Sequence, residues 1–341
     1  MKAVGLTRYL PIDNPQSFLD VEVVTPAPAG RDILVRIHAV AVNPVDFKVR
    51  RPKDAVEEIP RILGWDAAGI VEAVGENVTL FKPGDEVFYA GDITRPGSNA
   101  EYQLVDERIA ALKPRSLSFA GAAALPLTAI TAWESLFERL ALDRSDMAGN
   151  AGKTLLIIGA AGGVGSIAIQ LAKLAGLTVI ATASRPETIR WVRDLGADHV
   201  INHRNPLKDE LAKAGFADVD YILCAADTDP YFAAMTDIIC PQGKICVIVE
   251  SALPQNIDLL KMKSVTFVYE MMFTRSMFQT PDMIEQHHLL SHIAHLVDQG
   301  KITTTLQADY GTLSAETLRK AHAMLESGAS IGKIVLHGIG V

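Results

Sequence analysis

Residues 154–176, TLLIIGAAGGVGSIAIQLAKLAG, decide the fold class of this chain. An apolar, β-branched run leads into a cluster of small residues, and a helical pattern of apolar residues follows. A dinucleotide-binding turn requires this strand–turn–helix order, although the first position of G-x-G-x-x-G is Ala160 here. Small residues let the backbone approach a pyrophosphate and let the helix pack closely on the strand. The sequence therefore predicts a cofactor-binding turn at Ala161, Gly162, Gly163, Val164 and Gly165.

Five more apolar runs follow this turn, and helical patterns separate them. They read TVIATA, HVIN, VDYILCAA, KICVIV and SVTFVY. Six strands that alternate with helices are typical of a parallel, doubly wound sheet, so we predict an α/β protein. We expect residues 127–270 to form this cofactor domain.

Residues 1–126 show a different pattern, with short strands interrupted by proline and glycine, which predicts a twisted, β-rich domain. Residues 271–341 contain a His-rich helix, a second helix over 315–326 and a last strand. Because this segment is too short to fold alone, we expect it to return to the first domain. Residues 1–126 and 271–341 would then form one unit.

The second strand of the cofactor domain ends where an NAD site would carry an acidic residue for the ribose 2′-hydroxyl. The sequence has Ser184 and Arg185 there, and a hydroxyl with a guanidinium suits a 2′-phosphate. His203 and Arg204, just after the third strand, would join this pocket unless they are simply solvated. We therefore expect the cofactor to be NADPH in preference to NADH.

The bulk composition excludes several classes of partner. With 341 residues, 49% hydrophobic content and a net charge of −8, the chain is globular and lacks the basic face of a nucleic-acid binder. No run reaches the roughly 18 apolar residues that span a bilayer, and the N-terminus has no signal-peptide core. We expect a cytoplasmic protein that binds neither nucleic acid nor membrane, with its three cysteines buried and reduced.

Several stretches of the sequence resemble one protein family. They are NPVDFKVR, GWDAAGIVEAVGENVTLFKPGDEV, DITRPGSNAEYQLVDERI and the AAGGVG turn. They are similar to the medium-chain dehydrogenase/reductase superfamily, and most to its quinone oxidoreductase-like branch, which includes zinc-type alcohol dehydrogenase-like proteins. The resemblance implies a GroES-like catalytic domain with a Rossmann domain inserted after it. It also implies that the nicotinamide lies in a cleft between the domains and that subunits pair as a homodimer through their cofactor domains.

The residues that hold the catalytic zinc in metal-dependent relatives are replaced here. The resemblance matches the first cysteine to Asn43, the His-Glu pair to Trp65 and Asp66, and the second cysteine to Leu127. Zinc is bound by thiolate, imidazole and carboxylate, so only Asp66 is suitable and we expect no metal. Trp65 would fill the space of the ion and form a wall of the substrate cleft. The histidine stripe in QHHLLSHIAHLV could bind a metal, but the apolar stripe beside it favours an ordinary amphipathic helix.

Without a metal, we predict hydride transfer to an acceptor that needs little activation. Quinones and α,β-unsaturated carbonyls qualify, because charge spreads onto an oxygen that one or two hydrogen bonds stabilise. Asn43 stands where the family pattern has a cleft residue, and its amide would donate to the substrate or the ribose. Asp46 and Lys48 would shuttle a proton or form an ion pair, and Thr128 would bind the nicotinamide amide or the ribose. Their structural alternatives are a turn, a surface pair and a helix N-cap.

By resemblance, Cys224, Ala225, Val249 and Phe273 line the nicotinamide side, and Lys333 reaches a cofactor phosphate. Tyr89 is a candidate proton donor in the substrate cleft, although an aromatic residue on a strand more often belongs to the core. Two alternative functions are retained. One is a zinc-dependent alcohol dehydrogenase, and the other is an NADPH-binding sensor or structural protein with little turnover.

Overall fold

A computed structural model describes residues 1–144 and 147–340 of the chain. The chain divides into two compact units. The first unit is Met1–Leu127 with Phe273–Val341, and the second unit is Thr128–Met272. Across the described residues, no helix combines the length and the apolar character needed to cross a membrane.

Strands and helices are numbered in chain order. The strands are β1 (Lys2–Tyr9), β2 (Leu19–Glu22), β3 (Asp32–Val42), β4 (Lys53–Ile62), β5 (Ala67–Val74), β6 (Glu86–Tyr89), β7 (Tyr102–Asp106), β8 (Ala110–Leu112), β9 (Thr154–Ile158), β10 (Thr178–Thr182), β11 (His199–Ile201), β12 (Val219–Cys224), β13 (Ile239–Val247), β14 (Thr266–Tyr269), β15 (Leu306–Thr312) and β16 (Lys333–His337). The helices are α1 (Pro44–Arg50), α2 (Phe119–Ala123), α3 (Pro126–Trp133), α4 (Met147–Asn150), α5 (Gly163–Leu174), α6 (Pro186–Asp194), α7 (Leu207–Lys213), α8 (Phe232–Ile238), α9 (Thr274–Met277), α10 (Glu285–Asp298) and α11 (Ala315–Glu326). Short 3₁₀ helices cover Glu107–Ile109 and Ile257–Lys263, and a π-helical turn covers Glu134–Arg139.

The first unit is built around β3, which pairs antiparallel with β5, β7 and β16. The larger sheet has the order β15-β16-β3-β5-β6-β8, and a smaller sheet has the order β2-β1-β4. At Gly69 in β5, a Cβ would lie 2.1 Å from the carbonyl oxygen of Arg36 in β3, so this close pairing requires glycine. In the register of β16 on β3, Ile334 pairs with Val42, which brings Lys333 to the end of β3. The expected β-rich architecture is confirmed.

The second unit contains a parallel sheet with the order β11-β10-β9-β12-β13-β14. All five residues of β9, TLLII, are buried, as expected for a central strand of a parallel sheet that is covered on both faces. This arrangement confirms the predicted doubly wound α/β fold. The strand order reverses between β9 and β12, and ligands of such sheets bind outside the carboxyl ends of the strands at that point.

The three cysteines are free thiols, and all lie in the second unit. Cys224 and Cys246 are buried as expected, whereas Cys240 is only half-buried. The expectation that all three are buried is therefore wrong for Cys240, which follows helix α8 at the start of β13 and not at the centre of the sheet.

Candidate active site

The predicted cofactor turn joins β9 to α5. Gly159 has a left-handed φ of 79° that turns the chain at the end of the strand, and Gly162 is the N-cap of α5. At Gly165, a Cβ would lie 2.5 Å from the Cα of Ala160, so this contact between helix and turn requires glycine. Residues 161–165 form the turn and the start of α5, and the first N–H groups of a helix favour an anion. Sequence reasoning misses Gly159, although its position directly after an apolar strand is a usable signal.

The residues predicted to distinguish NADPH from NADH lie after β10 and β11. Arg185 is the N-cap of α6, and its Nε lies 3.1 Å from a carboxylate oxygen of Glu187. Half-buried Ser184 directly precedes Arg185. Burial, and then the positive charges of Arg204 and Arg185, lower the pKa of His203. Positive charge is therefore concentrated at this edge of the sheet, and Glu187 balances part of it.

The predicted nicotinamide-side residues of the second unit lie at the carboxyl ends of β12 and β13. Ala225 lies against the cofactor turn, since a Cβ on Gly159 would be 3.1 Å from the Ala225 carbonyl. Burial raises the pKa of the Cys224 thiol to about 11, so this thiol is neutral at pH 7. The Val249 carbonyl accepts a hydrogen bond of 2.6 Å from the Thr228 hydroxyl, which fixes the backbone after β13.

A buried polar cluster in the first unit consists of Asn43, Asp66 and Lys333. Asn43 follows β3, Asp66 precedes β5 and Lys333 begins β16, so the three residues come from neighbouring strands of one sheet. Asp66 Oδ2 accepts hydrogen bonds from Lys333 Nζ at 2.7 Å and from Asn43 Nδ2 at 2.9 Å. Lys333 Nζ also donates to Asn43 Oδ1, and to the Val42 carbonyl at 2.9 Å. Asp66 Oδ1 accepts from the Leu127 N–H at 2.8 Å.

This cluster fixes the orientation of the Asn43 amide. An ammonium only donates and an ionised carboxylate only accepts, so Oδ1 must face Lys333 and Nδ2 must face Asp66. Burial raises the pKa of the Asp66 carboxyl, while the charge and hydrogen bond of Lys333 oppose that rise. Asp66 is thus satisfied by neighbouring donors. The three N–H groups of Lys333 are used within the cluster, and its predicted contact with a cofactor phosphate stays a prediction that would require one of these bonds to break.

Asp46 lies beside this cluster, in the first turn of α1. Its Oδ2 accepts the backbone N–H of Asn43 at 2.8 Å, which caps the helix. Within the described part of the chain, its buried Oδ1 has no hydrogen-bond partner. Burial raises the pKa of Asp46 to about 7, although the Asn43 N–H and the charge of Lys333 lower it. A large fraction of this carboxyl is therefore protonated at neutral pH.

The aromatic residues predicted for the substrate cleft are buried in the first unit. Trp65 is 1% exposed, its Nε1 donates to the Asp92 carbonyl at 3.2 Å, and its ring meets Phe273 edge-on at 6.2 Å between centroids. Tyr89 is also 1% exposed, and its hydroxyl has no partner among the residues described. Burial raises the pKa of Tyr89 above its ordinary value, so the hydroxyl stays protonated.

Two further predicted residues lie on helices. Lys48 is half-buried on α1, two residues after Asp46. Thr128 is buried at the third position of α3, so it is not the N-cap of that helix. Of the predicted catalytic and cofactor residues, the structure therefore brings Asn43, Asp46 and Lys333 together, with Asp66 as their common neighbour.

The residues present do not fit a catalytic zinc ion. The positions matched to its ligands hold an amide, an indole, a carboxylate and an alkyl side chain, at Asn43, Trp65, Asp66 and Leu127. Both oxygens of the carboxylate already accept hydrogen bonds, and the Lys333 ammonium is 2.7 Å from one of them. A divalent cation would be repelled by this ammonium and would find one protein ligand where zinc needs three or four.

Two histidines of α10 make local hydrogen bonds, whereas His287 Nδ1 contacts the Ala110 carbonyl at 2.7 Å. His288 Nδ1 lies 3.2 Å from Glu285, and His295 Nε2 lies 2.6 Å from the Gln299 amide. Over residues 1–144 and 147–340, no group of three His, Cys, Asp or Glu side chains is arranged to hold a metal ion. The helix has an apolar buried face, which agrees with the amphipathic interpretation of its sequence.

Comparison with known proteins gives the family. Residues 29–115 match the alcohol dehydrogenase GroES-like domain, and residues 195–336 match the zinc-binding dehydrogenase family. A zinc-type alcohol dehydrogenase-like protein of Staphylococcus aureus is 45% identical over 99% of this chain and 100% of its own length. The chain belongs to the medium-chain dehydrogenase/reductase superfamily. This dehydrogenase/reductase is an oxidoreductase with a GroES-like domain and a Rossmann-type nucleotide-binding fold, as the sequence predicts.

Two other relatives of this dehydrogenase/reductase carry informative names. The 2-methylene-furan-3-one reductase of Solanum lycopersicum is 32% identical, over 99% of this chain and 79% of its own length. A crystal structure from Rhizobium etli, of a protein named a candidate zinc-dependent alcohol dehydrogenase, is 52% identical. It covers 100% of this chain and 99% of its own, with a TM-score of 0.94. The names therefore point to two different chemistries, and the residues of the site have to decide between them.

Proposed function

We propose that this protein is an NADPH-dependent reductase of quinones or α,β-unsaturated carbonyls that works by hydride transfer without a metal ion. The observation that carries the proposal is the buried cluster of Asn43, Asp66 and Lys333, in which Asn43 and Asp66 stand at positions matched to zinc ligands and Lys333 bonds both of them. A site without a Lewis acid suits conjugated acceptors, because their developing charge spreads over several atoms and needs only a few hydrogen-bond donors. The tomato relative, named for the reduction of a conjugated ketone, is consistent with this choice.

The preference for NADPH is supported by charge. Ser184 and Arg185 follow β10 where an acidic residue would favour NADH, and Arg204 adds positive charge nearby. A 2′-phosphate would compete with Glu187 for the Arg185 guanidinium. It would displace Glu187, because it is doubly charged and can accept two parallel hydrogen bonds from the guanidinium. When bound, NADPH supplies the hydride.

Side chains of the first unit would supply the proton that the reaction needs. Reduction of a quinone or an enone by hydride needs one proton at the product oxygen or at the neighbouring carbon. Asp46 is the leading donor of the site, because burial raises its pKa to about 7 and its Oδ1 has no partner among the described residues. Lys48 and Tyr89 are the alternative donors, and Asn43 and Thr128 are proposed to orient the substrate or the cofactor.

The protein is also proposed to form a homodimer through its cofactor domains. β14 lies at the end of the sheet order, and both Tyr269, its last residue, and Met271, just after it, are exposed. An apolar sheet edge pairs readily with a second copy of itself. Replacing Tyr269 by lysine should lower the native mass from dimer to monomer in sedimentation, and an unchanged mass would contradict this interface.

The direct test is a panel of acceptors. NADPH oxidation is measured with quinones, with enones and with saturated aldehydes and ketones, before and after treatment with a chelator. We expect turnover with the conjugated acceptors alone, without an effect of the chelator and with less than stoichiometric zinc by metal analysis. Turnover of saturated substrates that stops on chelation would establish an alcohol dehydrogenase instead. Tight NADPH binding without oxidation by any acceptor would favour a sensor or structural role.

A further inference from the structure

Lys333 has an unusual environment for a lysine. Its side chain is 3% exposed, and its ammonium has three oxygen partners: the Asp66 carboxylate, the Asn43 amide oxygen and the Val42 carbonyl. An ammonium has three N–H donors, so every one of them is used. The partners come from the end of β3 and the start of β5, while Lys333 itself begins β16.

The groups that bond the Lys333 ammonium need it for charge compensation or for a fixed orientation. Asp66 is completely buried, and removal of the ammonium bonded to it would leave its carboxylate without that charge compensation. Asn43 would lose the partner that holds its Oδ1, and the bond from its Nδ2 to Asp66 would then restrain its last torsion less well. The capping bond between Asn43 and Asp46 lies next to this contact, so a displaced Asn43 would also loosen the start of α1.

We propose that Lys333 is the built-in cation of this site, a positioning residue whose ammonium holds the Asn43 amide and the Asp66 carboxylate in a single geometry. The oxygens of the cluster then form a binding site for one primary ammonium group, and the Lys333 side chain provides that group. This part of the proposal rests on the contacts alone. The expected effect on turnover rests additionally on the proposed reductase function, and the two are measured separately.

The first test replaces Lys333 by alanine and supplies the missing group in solution. Propylammonium contains the atoms that Lys333→Ala removes, from Cγ to Nζ. We expect the thermal midpoint of unfolding to fall by roughly 10 °C, as for a broken buried ion pair in a chain of this size. Propylammonium, present throughout purification, should raise the midpoint again in proportion to the logarithm of its concentration.

Two solutes separate a specific ammonium site from general effects. Tetramethylammonium has the same charge but no N–H donor, and 1-propanol has the same size but no charge. We expect neither to restore the midpoint of Lys333→Ala. Equal recovery with either solute, or no recovery with propylammonium, would overturn the proposal.

Lys263 provides a matched control in the second unit. Its Nζ also donates to three oxygens, the carbonyls of Thr236, Asp237 and Ile239, but it bonds no carboxylate and is only half-buried. Lys263→Ala should lower the midpoint less than Lys333→Ala and should not respond to propylammonium. A similar response in both variants would show a general effect of the amine and would count against the proposal.

If Lys333→Ala does not fold, the charge balance is tested with neutral residues of similar size. Lys333→Met should be much less stable than Lys333→Met combined with Asp66→Asn, because the double variant has no buried unpaired charge. A double variant as unstable as the sum of its single variants would overturn the proposal. In the folded variants, kcat should fall at least tenfold with little change in the dissociation constant of NADPH. If the wild type has no turnover, the proposed function fails while the thermal result still decides the role of Lys333.

Discussion

Replacing Asp46 by asparagine should make the protein more stable at alkaline pH. Asp46 is completely buried, its Oδ2 accepts the Asn43 N–H, and its Oδ1 has no partner within the described residues. An asparagine side chain has the shape of the protonated carboxyl and keeps an oxygen for the capping bond. It differs from Asp46 in one essential respect, because it cannot become a buried anion as the pH rises.

The size of the effect follows from the pKa. Burial raises the pKa of Asp46 from 3.8 to about 7 in the folded protein. The stability that comes from its protonated form is therefore fully present below about pH 3.8 and is lost as the pH rises through 7. A shift of this size corresponds to about 4 kcal/mol at alkaline pH. The difference in unfolding free energy between Asp46→Asn and the wild type should thus grow from near zero at about pH 4 to several kcal/mol at about pH 8.

The assay is denaturant unfolding of both proteins across this pH range. Asp85→Asn is the matched control, because Asp85 Oδ2 accepts the Lys82 N–H at 3.0 Å in the same i to i+3 arrangement, on the surface of the same unit. Asp85→Asn should change stability by a similar, small amount at every pH. Parallel pH profiles for the wild type and Asp46→Asn would refute the reasoning. The same outcome would remove Asp46 as the proton donor of the proposed reaction.

Three other substitutions, one of them with a matched control, test separate parts of the structure. Arg185→Ala should raise the KM for NADPH about tenfold to a hundredfold and leave that for NADH nearly unchanged, which steady-state kinetics with both cofactors would measure. Gly165→Ala should lower the thermal midpoint and weaken cofactor binding in titrations, because its Cβ would lie 2.5 Å from Ala160. Gly121→Ala should change neither the thermal midpoint nor cofactor binding, because the added Cβ would meet no atom closer than 3.5 Å. Burial and the charge of Arg50 lower the pKa of His322 to about 3, so stability is lost as the pH falls below about 6.5. His322→Leu should remove on the order of 3 kcal/mol of that loss between about pH 6.5 and 4 in acid unfolding experiments.

Regular hydrophobic patterns made most of the fold predictable. The six apolar runs of the second unit are its six strands, and the helix expected over 315–326 is α11, Ala315–Glu326. Sequence reasoning misses β4, Lys53–Ile62, which is rich in charged residues and contains Pro60. β4 is an edge strand, and it forms because β1 pairs with it along one side, as in the pair Arg8 and Val56. An edge strand with two exposed faces needs no apolar pattern, so the sequence carries little signal for it.

In the candidate site, too, contacts between residues close in the sequence could be predicted and contacts between distant residues could not. Asn43, Pro44 and Asp46 are an N-cap, a proline at the first helical position and a capping acid, so the sequence contains the start of α1. The structural alternative given for Asn43, a turn, is therefore incomplete, because Asn43 begins a helix. The contact of Lys333 with Asp66 joins residues that are 267 positions apart, and only the register of β16 on β3 brings them together. No local pattern could have predicted it.

The pairing of Asp66 with Lys333 bears on how a family name relates to chemistry. A buried carboxylate needs a compensating cation, and both a metal ion and an ammonium meet that electrostatic need. They differ in what they offer a substrate, because a metal ion accepts an electron pair from a substrate oxygen whereas an ammonium provides only N–H donors. Here those donors already bond protein oxygens. A carboxylate at a ligand position is therefore weak evidence for a metal, and the cation nearest to it is the better guide to the reaction.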